Sequence, residues 1–475
     1  MEIKLLGLVN KEVIEEQIRI CAAAGKISRM QGTVNDAYDS VEDPNFALRF
    51  LKRVIGMGHT ATIDHDYMVF SLSGVTPVVE QTIIEERFSS FTIKSRREVD
   101  FSNSVFYVPD FHDKDGNLLQ ENETLKNKYV EHMSSLFDSY TCFVDNGISK
   151  EDARFLLPYC FHSEIFMGLD GTSLARMINS LTKGKLSNIT ELKEFGNKLL
   201  EIAKYRAPYI DCLIDDSVKN YSELEEILFN CDLAVPSNNI ESPVLVEATP
   251  NIDQHLFVNA IARKYNTSIN NALRVYESEI KGNSELERRL MKAIFAEENH
   301  DDLRQVNMSF NLSIPFSILT HLTRHRRLSL SIPQFVPNVS LTNYLIPPKI
   351  QNSNLKEKFE DIFNHNNDVY LEFKNAGVRD EDLVYFVLGG VNSNIVINCD
   401  GEALRWICRL RECTKAQWCV RNAVTKMHQE IGKLEGNKYF SENLGPDCVV
   451  HHFCGEGKES CGRINSILKK TKKNM

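Results

Sequence analysis

Apolar and polar positions alternate over Tyr67-Met68-Val69-Phe70-Ser71-Leu72, the period-two pattern of a half-buried strand. The same alternation returns at Met308-Ser309-Phe310-Asn311-Leu312. Residues 191–206 and 402–432 instead place apolar side chains at the spacing of helices. The polar stretch from Asp113 to Glu123 predicts an exposed loop. Turn formers at Val235-Pro236-Ser237-Asn238-Asn239 and Glu241-Ser242-Pro243 mark a joint over 232–243. Each half then reads as helix, strand pair, loop and long helices. Strands followed by a run of helices predict an α+β fold.

The halves also repeat one another in order. Gly58-His59, Phe70, Val75-Thr76-Pro77 and Glu85-Glu86-Arg87 are answered by Asn299-His300, Phe310, Ile314-Pro315 and Arg324-His325-Arg326. The pairs His59/His300, Phe70/Phe310 and Arg87/Arg326 lie 239 to 241 positions apart. Downstream, Phe106-Tyr107-Val108-Pro109 matches Tyr344-Leu345-Ile346-Pro347, and Gly147 matches Gly377. Asp170-Gly171 matches Asp400-Gly401. So many matches in register predict an internal duplication, with modules over 1–232 and 243–440 and a Cys/His-rich tail over 441–475.

Composition narrows the classes. A chain of 475 residues is long enough for roughly two or three domains. A net charge of −10 argues against non-specific nucleic-acid binding while leaving room for a local basic pocket. No apolar run reaches the roughly 18 residues that span a bilayer, and Met1-Glu2-Ile3-Lys4 does not open a signal peptide. A cytoplasmic protein without a membrane partner is the expectation. Seven of the 12 cysteines cluster from Cys399 onward, which suits metal ligation or reduced core thiols better than a disulfide framework. Cys448, Cys454 and Cys461 with His451 offer the three-thiolate, one-imidazole set of a closed zinc site, the alternative being free or regulatory thiols. The basic end, Lys469-Lys470-Thr471-Lys472-Lys473, reads as a frayed tail.

The motifs resemble the flavin-dependent thymidylate synthases, the ThyX family. That family carries Gly-His before a strand, then Arg-His-Arg-x-x-Ser-x-Asn-x-x-Ser-x-Arg-Tyr, then Glu-x-Ala-Arg-x-x-Leu-Pro. A helix ending in Leu-Arg follows, with Ala-Gln-Trp beyond it. The first copy here keeps Gly58-His59, Arg87, Ser90, Ser95, Arg97 and Glu151-Asp152-Ala153-Arg154-Phe155-Leu156-Leu157-Pro158. It has Glu85-Glu86 where the family has Arg-His, and Leu181 at the helix end. The second keeps Arg324-His325-Arg326, Ser329, Leu410-Arg411 and Ala416-Gln417-Trp418. It has Gln334-Phe335-Val336-Pro337 in place of Ser-x-Arg-Tyr, and Val384 in place of the Ala-Arg arginine. The losses are complementary.

The resemblance implies two tandem ThyX-like modules and one composite site per chain. Ser95, Arg97, Glu151 and Arg154 would come from the first copy and Arg324 and Arg411 from the second. Together they would hold a dUMP-like pyrimidine nucleotide, with Arg411 beside the base as the catalytic group. Arg97 and Arg154 suit phosphate because a guanidinium presents a planar fork. His59, Arg324, His325, Arg326 and Ser329 would hold FAD. Glu85 and Glu86 would set carboxylates against a diphosphate, so the first copy's strand is not expected to carry flavin phosphates. The implied reaction is reductive C5 methylation of dUMP to dTMP, with methylenetetrahydrofolate and NADPH as co-substrates, in a homodimer that mimics the family tetramer.

Residue by residue, other readings stay open. Arg154 could snorkel from a core helix, Arg411 and Arg421 could be surface cations, and His59 could be a core histidine. Trp406 and Trp418 read as core. Asp170 and Asp400, where the family has Asn, and Ser331 leave open a flavoenzyme acting on another pyrimidine nucleotide. A non-catalytic nucleotide-binding scaffold is the third reading.

Overall fold

The computed structural model describes residues 1–7, 10–231, 243–333 and 340–473. The turn-rich joint except Pro243, and Gln334-Phe335-Val336-Pro337, lie outside the described residues, as do the side chains of the basic end. Two compact units emerge. One takes in the residues up to Cys231 with Ile346–Gly390; the other takes in Pro243 to Pro333 with Val391 onward. Ile346–Gly390, which is second-copy sequence, therefore packs with the first copy.

The first unit is built on β1 (Glu2–Leu5), β2 (Tyr67–Val75), β3 (Ser90–Ile93) and β4 (Ser163–Asp170), antiparallel in the order β1-β2-β4-β3. The alternation read from the sequence holds: Met68, Phe70 and Leu72 are buried while Tyr67 and Val69 are exposed. Phe70 lies opposite Met167 in β4, so both strands bury the same face. Gly171 starts the helix Gly171–Thr182, where a Cβ would stand 2.8 Å from the Ile63 carbonyl oxygen. The expected helix at 191–206 is Thr190–Arg206.

Two long helices, Asn122–Asp145 and Lys356–Asn375, come from matching places in the two copies and pack together in this unit. Aromatic rings join them, with Phe143 and Phe359 centroids 6.0 Å apart. His132 Nε2 donates to Asn366 Oδ1 at 2.9 Å, inside the same buried layer. Gly390 passes so close to Phe155 that a Cβ would stand 3.1 Å from its carbonyl oxygen.

The second unit repeats the sheet with β5 (Val244–Ala248), β6 (Asn307–Pro315), β7 (Ser329–Ser331) and β8 (Asn392–Asp400), in the order β5-β6-β8-β7. The identical strand order in both sheets is the structural counterpart of the sequence repeat, and the mixture of antiparallel sheets and helices is the expected α+β class. Two details differ from expectation. The short strands β1 and β5, which precede the helices, carry too few residues to be read from periodicity. The helix expected over 402–432 is two helices, Gly401–Arg411 and Trp418–Gly432. No Pro or Gly marks the break. Arg421 Nη1 holds it open by donating to the Thr414 carbonyl at 3.2 Å and the Ala416 carbonyl at 3.5 Å. Among the described residues, no helix is long and apolar enough to cross a membrane.

Candidate functional site

In the first unit the chain leaving β3 delivers Ser95, Arg96 and Arg97 to the turn that carries Glu151 and Arg154. Arg97 forms an ion pair with Glu151. Arg154 is buried and its Nε donates to the Glu151 carbonyl oxygen at 3.2 Å. Arg96 is also buried, its Nη1 2.9 Å from Glu80 Oε2. Burial and then the nearby Arg96 push Arg154 down to about 9, with Arg97 acting in the same direction. Ser95 is exposed beside this group, and its Oγ accepts from the Arg97 amide at 3.3 Å. Three guanidiniums share a small volume with two carboxylates, an arrangement that an incoming anion relieves. Arg96 is not among the residues expected from the sequence; the adjacent Arg96-Arg97 pair is the signal that marks it.

The carboxylates where the family has Arg-His are both accounted for. Glu85 is exposed and accepts a hydrogen bond from Gln81. Glu86 accepts from Arg176 Nη2 at 2.8 Å and Arg176 Nε at 3.2 Å. Neither offers a cation to a diphosphate.

In the second unit Arg324 and Arg326 are exposed and flank the buried His325. Ser329 opens β7, opposite Asn398. The last residue of the helix Gly401–Arg411 reaches this triplet: Arg411 Nε donates to His325 Nε2 at 2.9 Å. Burial, with Arg411 beside it, lowers His325 to about 4, so the ring is neutral and its proton resides on Nδ1. The two motifs, 86 residues apart in the chain, thus meet at one hydrogen bond.

His59 is exposed rather than a core residue, and its Nε2 lies 3.2 Å from Arg29 Nη2. It lines a cavity of about 650 Å³ in the first unit together with Lys26, Arg29, Arg53, Phe50 and Met57. Cations over an apolar, aromatic lining suit a planar anionic molecule. The repeat is preserved at His300, whose Nε2 lies 3.2 Å from Arg405 Nη1 in the second unit.

The profile of the Thy1 family, described as thymidylate synthase complementing protein, matches residues 8–209 and again 244–434. The chain belongs to the Thy1 (ThyX) family. It is similar to the flavin-dependent thymidylate synthase of Pyrococcus horikoshii, with 25% identity over 43% of this chain and 76% of that protein. Those of Saccharolobus solfataricus (33%, over 22% of this chain and 40% of that protein) and Geobacter sulfurreducens (23%, over 34% and 66%) are similar too. Among solved structures, a UMP/dUMP methylase from Streptomyces cacaoi, bound with 5-Br dUMP, is 17% identical. The match covers 46% of this chain and 96% of that one at a TM-score of 0.36.

Against the ThyX pattern, several remaining residues take structural parts. Asp170 and Asp400 cap helices: their Oδ1 atoms accept from the Ser173 and Ala403 amides, each at 2.7 Å. Trp406 is 43% exposed rather than core, with the Arg409 guanidinium 5.2 Å from its ring centroid. Trp418 is half-buried. In the tail, Cys448, Cys454 and Cys461 come together, whereas His451 is exposed and its Nδ1 lies 2.9 Å from Asp447 Oδ1. Cys413, from the helix break, joins the three cysteines. Separately, Cys408, Glu412 and His428 bring ligand atoms within 4.8 Å of one another.

Proposed function

We propose that the chain carries out the reductive C5 methylation of dUMP to dTMP, with methylenetetrahydrofolate as carbon donor, NADPH as reductant and FAD as cofactor. The observation that carries this reading is the hydrogen bond from Arg411 to a neutral His325. It holds the Arg411 guanidinium in one orientation at the end of its helix. A cation fixed in this way is the group that favours negative charge developing on a pyrimidine ring as C5 attacks the one-carbon unit.

Ser95, Arg97 and Arg154 are assigned to the nucleotide phosphate, with Glu151 holding Arg97 in place until the anion arrives. Arg324 and Arg326, with Ser329, fit a flavin diphosphate by charge, which Glu85 and Glu86 do not. His59 and the cations of its cavity fit the planar, anionic part of the flavin or folate. Bound flavin supplies the redox step. What the first copy lacks at Glu85, Glu86 and Leu181 the second has at Arg324, His325 and Arg411. What the second lacks at Val384 the first has at Arg154. One full set of family groups therefore remains per chain, which we read as one composite site in a homodimer.

The test is complementation of a thymidine auxotroph, together with FAD and dUMP titration of the purified chain. Growth, with one FAD per chain, supports the reading. A chain that binds FAD and a different pyrimidine nucleotide, but does not restore growth, favours the second substrate class. A chain that binds neither is a scaffold.

A further inference from the structure

The end of the second unit holds a cluster that the proposed reaction does not use. Cys413 sits in the break after the helix Gly401–Arg411, while Cys448, Cys454 and Cys461 belong to the tail. All four line one cavity of about 20 Å³, with Lys415 and Arg463 among its other walls. A space that small admits one water-sized or ionic occupant and excludes an organic ligand. None of the four cysteines is in a disulfide. Cys413, Cys454 and Cys461 are near neighbours of Cys448, as is Arg463.

Four thiols from two segments of the chain around an atom-sized space are the donor set of a closed tetrahedral zinc site. Lys415 and Arg463 on its walls offset the double negative charge that four thiolates leave around Zn²⁺. His451, the fourth donor suggested by spacing, is turned to Asp447 and does not line the cavity. The Cys408, Glu412 and His428 group is a weaker candidate. It offers three donors, and His428 already engages Glu412 at 2.8 Å through Nδ1 and the Ser441 carbonyl at 3.0 Å through Nε2.

We propose that Cys413, Cys448, Cys454 and Cys461 bind one structural Zn²⁺ that ties the tail to the turn following Arg411. Binding replaces the thiol protons, which pass to solvent, and involves no redox change. Because Cys413 stands two residues beyond Arg411, the metal also clamps the end of the helix that presents Arg411.

The experiment measures metal in the full chain, purified under reducing conditions. Elemental analysis is expected to give one zinc per chain in the wild type and in His451→Ala, and near none in Cys413→Ser. X-ray absorption of the wild-type zinc protein is expected to show sulfur-only first-shell scattering at about 2.3 Å. This readout needs no variant, so misfolding of Cys413→Ser does not blunt the test. A nitrogen or oxygen contribution to that shell would overturn the ligand set, as would metal loss in His451→Ala or full zinc content in a folded Cys413→Ser. Failure of the reduced wild type to take up added Zn²⁺, or an intact mass showing these cysteines as disulfides, would overturn the site itself.

Discussion

Arg411 and His325 are joined Nε to Nε2 at 2.9 Å, and the histidine accepts. His325→Ala removes the acceptor and frees the guanidinium to rotate. Turnover is expected to fall by about 100-fold, the scale of a misplaced catalytic group, with the change in kcat rather than in nucleotide KM. His325→Gln, whose amide oxygen can accept from Arg411, is expected to recover part of the loss. Steady-state kinetics on both variants checks this, and equal activity in His325→Ala would remove Arg411 from the chemistry.

The same pair sets an acid limb. His325 is held neutral down to about pH 4, below the ordinary 6.5, by burial and by Arg411. The native chain therefore binds fewer protons than the unfolded chain between these values. Stability from this group is present above 6.5 and is lost as pH falls through 4. Urea unfolding of wild type and His325→Phe between pH 4 and 7 should show a shallower slope in the variant.

Arg154 separates binding from folding. Its guanidinium is buried beside Arg96, a cost in the empty protein that a bound anion offsets. Arg154→Met, which keeps the volume, is expected to leave thermal stability unchanged or higher. Its affinity for dUMP should drop on the order of 10- to 100-fold, the worth of a charge-assisted hydrogen bond. Calorimetry with scanning fluorimetry distinguishes this from simple destabilisation, in which both would fall.

Buried carboxylates predict the opposite pH trend. Glu191 accepts from the Thr76 amide at 3.1 Å, Thr76 Oγ1 at 2.7 Å and Tyr385 Oη at 3.1 Å, yet burial raises it from 4.5 to about 7. Its stabilising contribution is complete below 4.5 and is lost as pH rises through about 7. Glu191→Gln should flatten that decline, by on the order of 2–3 kcal/mol across the window. Chemical denaturation at pH 5 and pH 8 reads the difference.

Flavin retention tests the asymmetry between the copies. Arg324→Ala with Arg326→Ala is expected to release FAD on gel filtration, whereas Arg87→Ala, beside the Glu86–Arg176 pair, is expected to keep it. Absorbance of the eluted protein reports the ratio.

Much of this was legible in the chain because periodicity and motif register are local signals. The alternation at Met68, Phe70 and Leu72 maps directly onto the buried face of β2, and the repeat register maps onto two sheets of identical order. What was not legible depends on contacts between distant residues. Arg421 stabilises the helix break through two carbonyls, with no Pro or Gly to announce it. Cys413 lies 35 residues before Cys448, outside any recognisable ligand spacing. The chain could not say that Glu86 would be neutralised by Arg176, nor that Ile346–Gly390 would pack with the first copy.

The pairing of Asn122–Asp145 with Lys356–Asn375 carries a consequence for inheritance. When two identical subunits pair, every substitution appears on both sides of their contact at once. Here the partners are encoded separately and tethered, so His132 meets Asn366 with no reciprocal copy required, and dilution does not part them. Each helix is free to specialise against the other, and a change in one copy is not obliged to suit its double.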